Sequence, residues 1–269
     1  MSIKEWINKK LHFADYHITS KSLFDKLMFD SNIHLLMKYA VRLKSPDINK
    51  AYQYSKMMKS QSVQDLVVLM LLNFKETGFF VEFGAVDGDY LSNTHLLEKR
   101  FNWKGILSEP ARSYHKQLRI NRTCTIDTRC VAGVTGRMLS FIECKNGILS
   151  TLQGFKDSDE HRDIRKRKST YKIESVTLND LLIQHQAPLV IDFMSIDTEG
   201  SELEILENFF PTKYSVSIFV IEHNFTNNRS AINNLMVSNG YHRILDDISY
   251  VDDWYVSSEI FERVINNHA

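Results

Sequence analysis

The chain has 269 residues, 43% of them hydrophobic, enough for one large domain with a buried core. Lys plus Arg and Asp plus Glu both number 33, giving a formal charge of zero, which disfavours a dedicated nucleic-acid binder with its basic excess. The longest apolar run, Leu66 to Leu72, is far short of the ~20 residues that span a bilayer, so no membrane insertion is expected.

Residues 1–76 contain no glycine and a single proline, Pro46. The opening "MSIKEWINKK" lacks the apolar core of a signal peptide. Cys124, Cys130 and Cys144 form no CxxC pair, which fits reduced thiols in a cytoplasmic protein. "SLFDKLMFDSNIHLLMKYAVRL" carries apolar positions at helical spacing, and "SVQDLVVLMLLNFK" reads as a further helix with Ser62 as its N-cap. A helical extension over 1–76 is therefore expected, followed by a second domain over 77–269.

From Gly78 onward the pattern changes. "FFVEFG", "KGILSEP", "CTIDTRCVAG", "DFMSIDTEG" and "VSIFVIEHN" read as buried strands, with helices "SNTHLLEKRF", "SVTLNDLLIQHQ" and "SELEILENFF" between them. That alternation predicts an α/β fold with a doubly wound, mostly parallel sheet. "GRMLSFIE" and "HRILDDISYVDDWYVSS" read as extra strands, in part antiparallel. The basic stretch 161–172 reads as a solvated insertion.

"FFVEFGAVDGDYLSNTHLLE" joins the first strand to its helix through Gly84 and Gly88. Pyrophosphate binding needs a second glycine where this chain has Val86, and a P-loop needs a Lys after its last glycine. Carboxylates surround the turn at Glu82, Asp87 and Asp89. They suit a cationic ligand without phosphate, which points to S-adenosylmethionine. Glu82 and Asp87 are then expected at its ammonium. Glu109 ends the next strand about 20 residues past the turn, the interval of a ribose-binding acid. A nicotinamide-dependent oxidoreductase is a second reading, opposed by Val86. A non-catalytic interaction protein that kept the fold is a third.

Three stretches carry a family resemblance. Residues 60–110, "SVTLNDLL" and "IDFMSIDTEGSELEIL", with the D-x-E-G-x-E element and the S-N-T after the turn, resemble FkbM-type S-adenosylmethionine-dependent methyltransferases. The resemblance implies a class I Rossmann-like fold and O-methylation, often of sugars, polysaccharides or hydroxylated natural products. It also implies cofactor contacts at Gly84, Asp87, Gly88 and Glu109. Gln64, Asp65, Ser92 and Asn93 would lie near the pocket, and Cys130 to Ala132, Val131 included, near the adenine.

An acceptor hydroxyl needs a general base or a metal. The strand ends "DFMSIDTEG" and "VSIFVIEHN" offer Asp197, Glu222 and His223. His223 or Asp197 could act as base. Alternatively Asp197 and Glu222 could hold Mg2+ or another divalent ion. The expected partner is a small-molecule or glycan acceptor.

Overall fold

The computed structural model describes residues 21–45, 47–144, 150–155, 168–224 and 227–266. Residues 161–167 of the basic stretch lie outside them. Among the described residues three α-helices come first: α1 (Lys21–Arg42), α2 (Ile48–Tyr54) and α3 (Gln64–Leu71). The alternating region follows as β1 (Phe79–Phe83), α4 (His95–Phe101), β2 (Lys104–Ser108), α5 (His115–Asn121) and β3 (Thr125–Asp127). Next come β4 (Cys130–Val131), β5 (Met138–Cys144), β6 (Thr151–Leu152), β7 (Lys168–Val176) and α6 (Leu178–Gln184). The chain continues through β8 (Val190–Ile196), α7 (Glu202–Phe209), β9 (Ser215–Glu222) and α8 (Arg229–Ser238). It closes with β10 (His242–Ile244), β11 (Asp252–Val256) and α9 (Ser258–Asn266). No described helix is long and apolar enough to cross a membrane.

The main sheet has seven strands in the order β10-β11-β9-β8-β1-β2-β3. β1, β2, β3, β8 and β9 are parallel, and β11 runs antiparallel to both β9 and β10. Strand order reverses between β1 and β8, and this switch point is where a doubly wound sheet opens a crevice for ligands. A smaller sheet, β4-β7-β5-β6, packs beside it.

Alternation along each strand divides the core in two. Phe80, Phe193, Val220 and Trp254 face α1, α3 and α4, together with Leu36, Tyr39, Leu66 and Leu97. Val81, Met194, Phe219 and Tyr255 face the other way, against Leu181, Leu206 and Met236 of α6, α7 and α8. The N-terminal helices thus share one core with the sheet. Tyr39 and Trp254 stand with ring centroids 6.1 Å apart, tying α1 to β11.

Three sequence readings change. "CTIDTRCVAG" is not one strand: β3 joins the main sheet and β4 the smaller one. Residues 168–172 open the nine-residue β7 rather than sitting in a solvated loop. Ser62 does not cap α3. Val63 takes that position in a left-handed conformation (φ 58°), with no side-chain cap, and the Ser62 N–H instead donates to Gln64 Oε1.

Trp254→Ala is expected to cost about 3–5 kcal/mol, the usual cost of emptying a buried aromatic site. Because α1–α3 share this core, urea unfolding should show one transition for helical and near-ultraviolet signals alike. Separate transitions would mean that the N-terminal helices form their own unit.

Candidate active site at the switch point

Two glycines shape the rim for different reasons. A Cβ on Gly84 (φ 73°) would lie 2.5 Å from the Asp197 carbonyl oxygen. The end of β1 can therefore press against the end of β8 only without a side chain. A Cβ on Gly88 (φ 79°) would meet Arg122 Cγ at 2.5 Å. Between them Val86 adopts φ 52°, a strained conformation for a β-branched residue. Its N–H donates to Glu109 Oε2 at 2.8 Å, and Ala111 N–H donates to Glu109 Oε1 at 2.7 Å. Burial pushes the Glu109 carboxyl up to about 8 despite these two bonds, with Asp197 and Glu143 adding to the rise. Glu109 and Asp197 therefore belong to one electrostatic environment.

Strand register lines up a row of acids. Glu82 pairs with Ser195, and Asp252 pairs with Glu222. Asp197 follows the last β8 residue and continues the row beside Glu222. By alternation, Glu82, Asp197, Glu222 and Asp252 all lie on the face covered by the N-terminal helices. Asp197 and Glu222 bring carboxylate oxygens within 4.8 Å of each other. Two carboxyls this close share a proton. Enclosure by protein raises Asp197 to about 7 and Glu222 well above the usual carboxylate range, Asp197's charge adding to the latter. Both remain in contact with solvent at the cleft.

The D-x-E-G-x-E element explains itself locally. Glu202 accepts from the N–H groups of Thr198 and Gly200, each at 3.0 Å, and from Thr198 Oγ1 at 2.9 Å. That cap folds the loop, with Glu199 at φ 58° and Gly200 at φ 120°. Glu199 then joins Asp197 and Glu222, the three offering carboxylate oxygens within 4.8 Å of one another. Among described residues this is the one group of its kind. Hard oxygen donors of this sort suit magnesium or manganese.

Other expected site residues lie elsewhere. Glu82 is spent inside the protein: it accepts from Ser92 Oγ (3.0 Å), Asn93 N–H (2.6 Å) and Thr94 Oγ1, so it shapes the loop rather than facing a ligand's ammonium. Ser92 is buried with it. Asp87 Oδ1 accepts from the N–H groups of Asp89 and Tyr90, fixing the turn. Asn93 donates to Ser195 Oγ at 2.9 Å, next to the acid row. Gln64 Nε2 donates to Asp252 Oδ2 at 2.7 Å and its Oε1 is taken by Ser62; it acts on the acid row from above. Asp65 is fully buried and holds Lys59 N–H and Ser60 Oγ. Cys130 lies in the small apolar cluster with Ala111, Ala132 and Phe141, whereas Val131 packs into the main core.

His223 does not join the carboxyls. It follows Glu222, so its side chain takes the opposite face. There it lies 3.8 Å from Asp253, which Arg229 and Arg243 also engage. Burial lowers its pKa to about 4, with Asp253 pulling the other way.

The sequence placed Glu199 after Asp197 at the strand end without giving it a role, and Asp252 was missed. Asp252 was legible: it alternates with Trp254 and Val256, which face the N-terminal helices. Burial raises it to about 6, Gln64 opposing and Asp253 adding to the shift.

A doubly wound sheet with acids gathered at its switch point is a Rossmann-like architecture. The model of the FkbM methyltransferase domain matches residues 82–251, well over half of the chain, and the chain belongs to that family. No curated protein matches the sequence. Among solved structures, one similar chain is the precorrin-6y C5,15-methyltransferase of Geobacter metallireducens GS-15. It is 11% identical, and the alignment covers 75% of this chain and 89% of that one at a TM-score of 0.41.

The pKa of His223 gives a pH test. The unfolded chain takes up its proton near pH 6.5 and the fold only near pH 4. The neutral ring's contribution is thus complete above 6.5 and is lost as pH falls through 4. The loss is at most about 3 kcal/mol. In denaturant titrations, His223→Gln should lose less stability than wild type between pH 6.5 and 4. Parallel curves would show that folding does not shift the pKa of the ring.

Proposed function

We propose that the chain is an S-adenosylmethionine-dependent O-methyltransferase acting on a sugar hydroxyl of a glycan or glycoconjugate. The observation that carries this reading is the Asp197–Glu222 pair beside the open backbone of Gly84. A sugar hydroxyl is barely acidic, and a carboxyl held near neutrality is a far better proton acceptor for it than an ordinary one. The donor fits the rim. The turn offers no lysine and no run of glycines for phosphate, while the solvent-accessible acids Asp197 and Glu222 beside it favour a sulfonium ligand. Glu109 keeps a lone pair on each oxygen beyond the bonds from Val86 and Ala111, which suits ribose hydroxyls.

When bound, the cofactor supplies an electrophilic methyl group on sulfur. The crevice aligns the acceptor oxygen with that methyl for in-line transfer. Asp197, as the ionised member of the pair, takes the hydroxyl proton, leaving both carboxyls neutral until one proton passes to solvent. Transfer of that methyl to the acceptor oxygen would leave the cofactor as a neutral thioether. Neutralising the sulfonium removes the charge that the acid row stabilised, which favours product release.

A metal-assisted version rests on the clustering of Asp197, Glu199 and Glu222. In it these carboxylates would hold a magnesium-like ion that lowers the pKa of the acceptor hydroxyl. Glu199 supplies the third ligand, so His223 is not needed.

Asp197→Asn should lower kcat by about 10²–10⁴, the worth of a positioned base, while S-adenosylhomocysteine affinity stays within a few-fold. Glu109→Ala should weaken that affinity about ten- to a hundredfold. Turnover of a glycan acceptor in excess chelator separates the two versions: full activity leaves Asp197 as a simple base, and loss restored by magnesium favours the ion. An Asp197→Asn enzyme with full turnover would remove the pair from the reaction.

A further inference from the structure

We propose that Arg122 is the positioning residue of the cofactor loop, and this rests on the methyltransferase reading above. Arg122 follows α5, and its side chain has no exposure to solvent. Its guanidinium reaches four places at once. Nε donates to Glu98 Oε2 at 2.6 Å. Nη1 donates to Ser92 Oγ at 3.0 Å and to the Gly88 carbonyl at 3.3 Å. Nη2 donates to Thr94 Oγ1 at 2.8 Å.

The two hydroxyls that accept from Arg122 donate in turn to Glu82, whose carboxylate lies 3.6 Å from Nη1. One planar cation thereby fixes both ends of residues 88–94, directly at Gly88 and through hydroxyls at Ser92 and Thr94. The preceding residue adds a second grip: Asn121 Nδ2 donates to the Asp87 carbonyl at 2.8 Å. Adjacent side chains at the end of α5 therefore hold two consecutive carbonyls of the turn that carries Val86 and Asp87. The absence of a side chain at Gly88 serves this arrangement, since a Cβ there would lie 2.5 Å from the arginine stem.

A lysine could replace the charge but not the fork. It has no planar set of donors to span Gly88, Ser92, Thr94 and Glu98 together. Glu98 provides an internal control. It engages Arg122 from the side away from the turn and also accepts from Thr123 N–H and Oγ1, both at 2.8 Å. Burial pushes Glu98 up, but Arg122 and Thr123 outweigh it and bring the carboxyl down to about 2. Loss of Glu98 should therefore cost stability without releasing the turn.

The test is calorimetric titration of the full chain with S-adenosylhomocysteine, at a temperature where each variant is shown to be folded. Arg122→Lys should weaken binding at least tenfold, and Asn121→Ala about threefold or more. Glu98→Gln, or the milder Thr123→Ala, should bind within twofold of wild type while unfolding at lower urea. Arg122→Lys and Asn121→Ala both binding like wild type would overturn the proposal. So would a Glu98→Gln loss of affinity equal to that of Arg122→Lys, which would make the role merely structural. A wild-type protein that binds no S-adenosylhomocysteine would remove the cofactor reading itself, and the positioning role with it.

Discussion

The contact on which the site depends is that between Gly84 and the carbonyl of Asp197, too close for any Cβ to intervene. It exists because β1 and β8 are neighbours at the centre of the sheet and their following segments depart in opposite directions. The candidate site is set from there. The turn after β1 leads to Val86, whose strained backbone aims its N–H at Glu109. The turn after β8 carries Asp197 to Glu222 and, through the Glu202 cap, brings Glu199 beside them. The crevice is thus made by backbone geometry first and furnished with side chains second.

Register then decides which acids meet. Glu82, Asp197, Glu222 and Asp252 stand on one face because each is an even number of positions from a core residue that faces the N-terminal helices. Like charges in a row repel, and three devices answer this. Glu82 is neutralised from within by Arg122 and two hydroxyls. Asp252 receives Gln64 from the N-terminal layer. Asp197 and Glu222 share a proton. Only the last pair keeps solvent contact, so the repulsion is concentrated where a proton or cation can relieve it.

Much of this was legible from the sequence because it is local or periodic. Apolar runs marked the five parallel strands, and the glycine turn with its acids marked the ligand edge. What escaped was mostly long-range. Nothing in "CTIDTRCVAG" signals that its halves belong to different sheets. Nothing around Arg122 announces that it would be buried among Gly88, Ser92, Thr94 and Glu98. Glu199 enters the site only through a hydrogen-bonded cap that has no periodic signature. Two misreadings were avoidable. Consecutive strand residues take opposite faces, so Glu222 and His223 could not both point at Asp197, and the same rule would have found Asp252. Ser62 failed as a cap for another reason: its neighbour Val63 leaves the extended conformation that capping needs.

The central claim is that a methyl donor binds at the β1–β8 switch point, on the edge that carries the acid row. Amide hydrogen exchange with and without S-adenosylhomocysteine tests it most directly. The account predicts slowed exchange over Gly84 to Tyr90 and over Glu109 to Arg112, with little change at the opposite end of the sheet around Lys75, Lys104 and Asp192. Protection confined to that opposite end, where those residues line a cavity of about 440 Å³, would contradict it.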